Sequence, residues 1–189
     1  MNGTELITWF ADREPRMLPD SCVVVGGTGL LPYFLRRVAD RTSLGGSGHL
    51  GLAAPFIGSN LCAYLAALPH IVHQRADVLI VTAGKSDAER CKEEFGRFPW
   101  KSIEISIRPK LHAKIFSFNE TGGGGVCLVG SHNLTRGGAE AKEEAGVFFA
   151  GTSKSNTAPI IHACHDAVIK IARKGVRFSD SWALNAQAA

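Results

Sequence analysis

A histidine and a lysine two residues apart could do chemistry together in this sequence. His112 and Lys114 lie in the alternating apolar run LHAKIFSF. Successive side chains of a β-strand point to opposite faces, so residues i and i+2 share one face. The spacing therefore predicts an imidazole and an ammonium group held side by side on a strand. Arg108 and Lys110 have the same parity, although Pro109 indicates that the strand begins or kinks there.

More polar side chains follow along the chain. After a run of glycines, a second apolar strand at 126–129 leads into Gly130, Ser131 and Asn133, and a third strand follows Glu144. Together these residues offer a candidate nucleophile, a cation, a hydroxyl, an amide and a carboxylate. Such a set suits an anionic phosphate centre, because charge and hydrogen-bond donors stabilise phosphate oxygens. A site for Mg²⁺ would need more carboxylates.

These residues resemble, in order, the HKD motif of the phospholipase D superfamily. The matching elements are His112-x-Lys114, then Gly130-Ser131-x-Asn133, then Glu144. The family pattern is H-x-K-x4-D-x6-G-S-x-x-N or its G-S-x-N variant, with a carboxylate about a dozen residues downstream. Each element alone is uninformative, but the ordered set on alternating strands and turns is specific. The resemblance is to the small bacterial nucleases and restriction-endonuclease catalytic domains of that superfamily in particular.

The sequence departs from the family pattern at two places. By spacing, Asn119 takes the place of the family's Asp, and by strand parity it faces away from His112 and Lys114. We therefore expect a structural role for Asn119. Ten residues separate Asn119 from Gly130, where the family has six, and the surplus coincides with the glycines at 122–125. We interpret these glycines as the tip of a hairpin, which tolerates insertion.

The resemblance implies a role for each motif residue. His112 would attack phosphorus as a neutral imidazole and form a covalent phosphohistidine. Lys114 would offset the phosphate charge, and Ser131 and Asn133 would donate hydrogen bonds to its oxygens, with Gly130 as a structural residue. Glu144 would accept the proton on the other ring nitrogen of the histidine.

The resemblance also implies assembly. The family protonates the leaving oxygen from a second copy of the motif, and this chain has one copy. A homodimer with the active site at the subunit interface is therefore expected.

Some neighbouring residues have two interpretations. His132 lies inside the motif, but we favour a solvent-facing loop histidine. Glu143 competes with Glu144, and the spacing from Ser131 favours Glu144. Arg136 and Lys142 flank the motif and could contact a nucleic-acid backbone or form a solvated face. The candidate substrate contacts are the cations Arg108, Lys110 and Arg136.

Composition narrows the class of protein. The chain has 189 residues, a net charge of +4 and five scattered cysteines, which we interpret as reduced thiols of a cytoplasmic protein. The mild basicity is compatible with nucleic acid without being diagnostic. His162 and His165 are three apart on a predicted helix, but no third metal ligand is visible. His70 and His73 are predicted to lie on the surface. We expect no metal, no cofactor and no membrane span.

Hydrophobic periodicity predicts the elements that must position the motif. A glycine turn, GGTG at 26–29, follows the first strand, but a nucleotide-binding loop is rejected because the third glycine of that fingerprint is missing. Ser86 to Glu89 is interpreted as a helix capping box. Besides the strand leading to His112, strands are predicted at 22–25, 49–57, 77–82, 103–107, 126–129 and 145–149, and helices at about 4–12, 30–40, 60–68, 86–95 and 157–173.

The alternation of these elements predicts an α/β fold, with a mixed β-sheet between helical layers. The closely spaced strands from 103 to 149 are predicted to form its antiparallel part. One phospholipase D-like catalytic domain is expected over residues 1–178, with 1–45 as a possible accessory part. Residues 179–189 are expected to be a loosely ordered tail.

The leading functional hypothesis is a metal-independent endonuclease that cleaves DNA. The alternatives are a phospholipid hydrolase or transferase of the same superfamily, and a non-catalytic nucleic-acid-binding module. The single motif and the lack of a lipid-facing stretch argue against the lipid enzyme. The replacement of the family's Asp by Asn119 is the reason for the third hypothesis.

Overall fold

A computed structural model describes residues 21–27, 30–58, 64–65, 68–131, 133 and 144–178. Within them the chain forms one mixed sheet with helices on both faces. The strands are β1 (Ser21–Gly27), β2 (Gly48–Ala53), β3 (Ala76–Thr82), β4 (Ser102–Ile107), β5 (Ile115–Glu120), β6 (Gly124–Gly130), β7 (Glu144–Thr152) and β8 (Val176–Arg177). The helices are α1 (Leu30–Ser43), α2 (His70–Arg75), α3 (Lys85–Phe95) and α4 (Ala158–Arg173).

The strand order in the sheet is β1-β7-β6-β5-β2-β3-β4-β8. Strands β2, β3 and β4 are parallel, whereas β5, β6, β7 and β1 pair antiparallel in succession. The predicted α/β fold with a mixed sheet between helical layers is confirmed. β1 belongs to this sheet, since it pairs with β7 along seven residues, and α1 contributes Leu31 and Phe34 to the core.

One part of the predicted topology is wrong. β4 does not pair with β5 but with β3, in parallel, because β2 and β3 lie between β4 and β5 in the sheet. The connection from 108 to 114 therefore crosses the ends of two strands instead of forming a hairpin. Neighbouring strands lie about 4.8 Å apart, so the crossing spans roughly 14 Å. This crossing is the segment that contains His112 and Lys114.

Alternation along the strands supplies a separate core to each face. Leu52 of β2 and Phe116 of β5 contribute to the larger core, which the three helices α1, α2 and α3 cover. Ala53 of β2 belongs to a smaller cluster with Val168 of α4. We call these the large-core face and the α4 face.

The β5–β6 hairpin confirms the predicted tip. Its turn follows Glu120, and Gly123, Gly124 and Gly125 have φ values of +85°, +85° and +131°. A side chain would be strained in this left-handed region, so the glycines are required there.

Two local predictions are wrong. The helix α3 begins at Lys85 with Gly84 as its N-cap and no side-chain capping bond, so Ser86 already lies within the first turn. His73 is buried instead of exposed, because its ring lies 4.2 Å from that of Trp100 and its Nε2 is 3.1 Å from the carbonyl oxygen of Leu65.

The strand predicted at 49–57 ends at Ala53. Three cysteines are described as free thiols, namely Cys91, Cys127 and Cys164. The predicted helix at 4–12, most of that at 60–68, and the tail at 179–189 fall outside the described part of the chain.

Candidate active site

The motif residues of the described chain lie at one edge of the sheet, which we call the motif edge. The carboxyl ends of β1, β2, β3, β4 and β6 reach this edge, together with the amino ends of β5 and β7. The register shows it directly, because Ala53 is opposite Ile115, Gly130 opposite Gly146, and Gly27 opposite Glu144. The two motif segments, which are remote in sequence, are thereby adjacent.

The crossing segment at 108–114 is fixed at both sides of its turn. The backbone N–H of Arg108 donates to the carbonyl oxygen of Thr82 at 2.8 Å. The backbone N–H of Leu111 donates to the carbonyl oxygen of Arg108 at 3.1 Å. The Leu111 side chain is buried in the α4-face cluster with Ala53 and Val81. The carboxyl end of β3 therefore holds the segment immediately before His112.

His112 and Lys114 precede β5, so the prediction that they lie within a strand is wrong. Their spacing still separates them from the core. Leu111, Ala113 and Ile115 all pack on the α4-face cluster, and alternation directs the two intervening side chains to the other side. His112 is exposed and Lys114 is half-buried. The Lys114 Nζ lies 3.4 Å from the backbone oxygen of His112, so the cation stays beside the imidazole-bearing residue.

Backbone hydrogen bonds join the two halves of the motif. The N–H of Gly130 donates to the carbonyl oxygen of Lys114 at 3.2 Å. The N–H of Ser131 donates to the carbonyl oxygen of Ala145 at 3.0 Å, and the Ser131 Oγ accepts from the Ala145 N–H at 3.2 Å. Ser131 is exposed and held at the end of β6, one strand away from Lys114.

Asn133 and Glu144 complete the part of the motif that the structure describes. Asn133 is half-buried, and its Oδ1 is shielded from solvent without a hydrogen-bond partner among the described residues. Glu144 is the first residue of β7, and its side chain is outside the description. The predicted substrate contact Arg136 and the alternatives His132, Lys142 and Glu143 also lie outside the described residues.

The two other predicted substrate contacts lie on the turn before His112. Arg108 is half-buried, and its Nη1 donates to the carbonyl oxygen of Lys174 at 3.1 Å, which ties the turn to the end of α4. Lys110 is exposed and has a φ of 62°. The strand parity that would align Arg108 and Lys110 with His112 does not pass through this turn.

Asn119 lies near the other end of β5. It pairs with His49 of β2 and Gly125 of β6, four residues from Ile115. At about 3.3 Å per residue, this places it roughly 13 Å from the motif edge. Its Oδ1 is shielded and has no partner in the described chain.

Sequence reasoning missed a buried polar pair on the α4 face. His165 of α4 is 5% exposed, and its Nδ1 is 3.0 Å from the Oγ of Ser117 in β5. Burial, together with the nearby imidazoles of His49 and His162, lowers the pKa of His165 to about 4, although the carboxylate of Asp166 acts in the opposite direction. Neither strand periodicity nor helix periodicity indicates which polar residues of two packed elements will meet.

Among the described residues, no group of three or more histidine, cysteine or acidic side chains is arranged to hold a metal ion. None of the described helices is long and apolar enough to cross a membrane.

The fold is similar to solved structures, although no family model matches the sequence. No curated protein matches it either. Nuc from Salmonella typhimurium, a phospholipase D family member, is similar over 85% of this chain and 99% of its own, with a TM-score of 0.58 and 14% identity. NucT from Helicobacter pylori is similar over 84% of this chain and 98% of its own, with a TM-score of 0.50 and 14% identity. Phosphatidylserine synthase from Haemophilus influenzae gives a TM-score of 0.53 at 13% identity, over 88% of this chain but 42% of that one.

Proposed function

On the premise that this chain has the fold of the phospholipase D superfamily, we propose that it is a metal-independent phosphodiesterase that cleaves DNA through a covalent phosphohistidine. One observation carries the proposal. The exposed His112 and the half-buried Lys114 are held by backbone bonds beside the Gly130–Ser131 turn, at one edge of that fold.

The reaction would start with attack of a neutral His112 nitrogen on phosphorus. A nitrogen–phosphorus bond forms while the bond from phosphorus to the leaving oxygen breaks. A phosphodiester resists attack because its anionic oxygens repel nucleophiles, and Lys114 offsets that charge. Water then attacks the phosphohistidine and gives a proton to the imidazole that protonated the leaving oxygen, while the nitrogen–phosphorus bond breaks and releases free His112 and a DNA end that carries a phosphomonoester.

Ser131 and Asn133 supply neutral donors to the phosphate oxygens. The Ala145 N–H donates to the Ser131 Oγ and fixes its position, and the hydroxyl proton, which points to the Ala145 carbonyl oxygen, would turn to the phosphate when substrate binds. The carboxylate of Glu144 would accept a hydrogen bond from the N–H of the second ring nitrogen of His112 and stabilise the positive charge of the phosphohistidine. Arg108, Lys110 and Arg136 remain proposed contacts to the flanking phosphates.

The leaving oxygen needs a proton from the side of phosphorus opposite His112, because displacement is in line. One imidazole cannot occupy both sides in the same step. We therefore propose a homodimer in which a two-fold axis brings the second subunit's histidine to the opposite side.

DNA is preferred to phospholipid as the substrate for two reasons. The net charge is +4, which favours a polyanion. The chain also matches almost the full length of Nuc and NucT, but less than half of the phosphatidylserine synthase.

The test compares wild type with His112→Ala in excess EDTA, on DNA and on phospholipid vesicles. His70→Ala is a matched control, since His70 is an exposed histidine on α2, which leads into the opposite end of β3. We expect DNA cleavage by wild type and His70→Ala, and none by His112→Ala. Lipid turnover without DNA cleavage would favour the lipid enzyme, and equal DNA binding without cleavage by any variant would favour a binding module. Loss of cleavage in EDTA with recovery on adding Mg²⁺ would exclude the metal-independent mechanism.

A further inference from the structure

Phe56 exposes an aromatic side chain at the motif edge. It is 59% exposed, whereas its neighbours Pro55 and Ile57 are buried. A single exposed apolar side chain is ordinary on a protein surface. The rigidity of Phe56 and its position relative to His112 are what give it a functional interpretation.

The chain on both sides of Phe56 is anchored. The carbonyl oxygen of Pro55 accepts hydrogen bonds from the backbone N–H of Ala83 and from the Oγ1 of Thr82, each at 3.3 Å. The carbonyl oxygen of Ile57 accepts from the Nη1 of Arg90 at 2.9 Å, and the Ile57 side chain is in the large core. The aromatic ring is therefore presented to solvent by a fixed backbone, which lowers the entropy lost on binding a ligand.

Phe56 also lies beyond the same end of the sheet as His112. Ala53 and Ile115 are register partners, and Phe56 and His112 are each three residues beyond this pair. Three residues of chain span at most about 11 Å, so each of the two residues lies within that distance of the register pair. Ala54 and Ile57 both belong to the large core, so the chain turns between them, and Phe56 is the exposed residue of that turn.

We propose that Phe56 stacks on an unpaired nucleobase next to the scissile phosphate, so that the site takes single-stranded DNA. This inference rests on the proposed function. A phosphate held by Lys114 would place the adjoining base at the motif edge, and an aromatic ring offers a π-face to any base regardless of sequence. Stacking requires the base to be out of its duplex.

The test compares cleavage of two single strands of equal length and charge, an oligothymidylate and a strand made of tetrahydrofuran abasic residues. We expect wild type to prefer the oligothymidylate in kcat/KM by roughly 5- to 100-fold, the range that base–aromatic stacking supplies. Phe56→Ala and Phe56→Leu should remove most of this preference, whereas Phe56→Trp should keep it. Leu44→Ala, which alters another exposed apolar residue, should keep it as well.

Each outcome separates this inference from the proposed function. Cleavage of duplex DNA but of neither single strand would overturn only this inference, whereas cleavage of neither duplex nor single-stranded DNA by wild type would overturn the proposed function. Cleavage of the oligothymidylate with the same preference in wild type and Phe56→Ala would overturn only the role of Phe56. Equal losses on both strands, or a shift from dimer to monomer in sedimentation, would place Phe56 in folding or in the subunit interface and would also overturn it. Thermal unfolding of each variant distinguishes a loss of folding from a loss of the subunit interface.

Discussion

His112 is exposed because the residues on either side of it are held in place. Leu111 is buried on the α4 face, and Ala113 packs on the same cluster. The chain order of the motif and its residue types were predictable from sequence, since spacing alone brings His112 beside Lys114. The prediction of a strand at His112 was wrong. Side chains of the crossing segment alternate between packing on the α4-face cluster and pointing away from it, as they do in a strand, but the segment does not pair with a neighbouring strand in the described part of the chain. The anchoring of Arg108 to Lys174 was not predictable, since it depends on where α4 ends.

The charge of Lys114 should matter far more than the amide of Asn119. Lys114→Met keeps much of the side-chain bulk but loses the charge that offsets the phosphate, so we expect kcat to fall about 100- to 1,000-fold. Asn119→Ala, roughly 13 Å from the motif edge, should leave kcat nearly unchanged. Steady-state kinetics on one oligonucleotide tests both. An equal loss in the two variants would show that Asn119 supports the chemistry.

Packing between elements explains which predictions from periodicity succeeded. Strand alternation correctly gave most strands, because each buries one apolar set against α1–α3. The neighbour of β4 was predicted wrongly, because closeness in sequence does not reveal that β2 and β3 separate β4 from β5. His73 was predicted wrongly for the same reason, since Trp100 contacts it from a distant part of the chain.

The contact between α4 and β5 should make stability depend on pH. The pKa of His165 is about 4 in the folded protein, whereas an unburied histidine has the ordinary value of 6.5. As the pH falls, the unfolded chain therefore binds the proton before the folded protein does. The free energy of unfolding should therefore be constant above about pH 7 and fall towards pH 4, by at most about 3 kcal/mol from this group. Asp166 favours the protonated form and His49 and His162 oppose it.

Urea denaturation at pH 7 and pH 4.5 measures this dependence. His165→Gln keeps a hydrogen-bond partner for Ser117 but cannot take up the proton, so it should lose part of the pH dependence. His162→Gln, a change at an exposed position of the same helix, should behave like wild type. The same pH dependence in His165→Gln and wild type would assign the effect to other groups.

At the scale of the whole molecule, the proposed mechanism calls for a second subunit. In-line displacement puts the nucleophile and the group that protonates the leaving oxygen on opposite sides of phosphorus, and the sequence has one copy of the motif. The fold class followed from the alternation of strands and helices, but assembly cannot be read from the periodicity of one chain. Only the resemblance of the motif predicts it.

Subunit mixing tests the dimer. When wild type and His112→Ala exchange subunits in equal amounts, a site that needs both histidines survives only in wild-type pairs. The rate per total protein should then be about one quarter of that of wild type, whereas independent monomers would give about one half. Sedimentation at assay concentration provides the control, since a monomer that cleaves at full rate would rule out the shared site.

The central claim is that His112 becomes covalently bonded to phosphorus. Its most direct test is a single-turnover reaction with a short DNA strand, quenched at alkaline pH, in which phosphohistidine is preserved, and followed by mass spectrometry of the digested protein. We predict a phosphoryl-nucleotide adduct on the peptide that contains His112, which forms and decays at the rate of cleavage and is absent from His112→Ala. Cleavage that proceeds without any adduct, or an adduct on a different residue, would contradict the account.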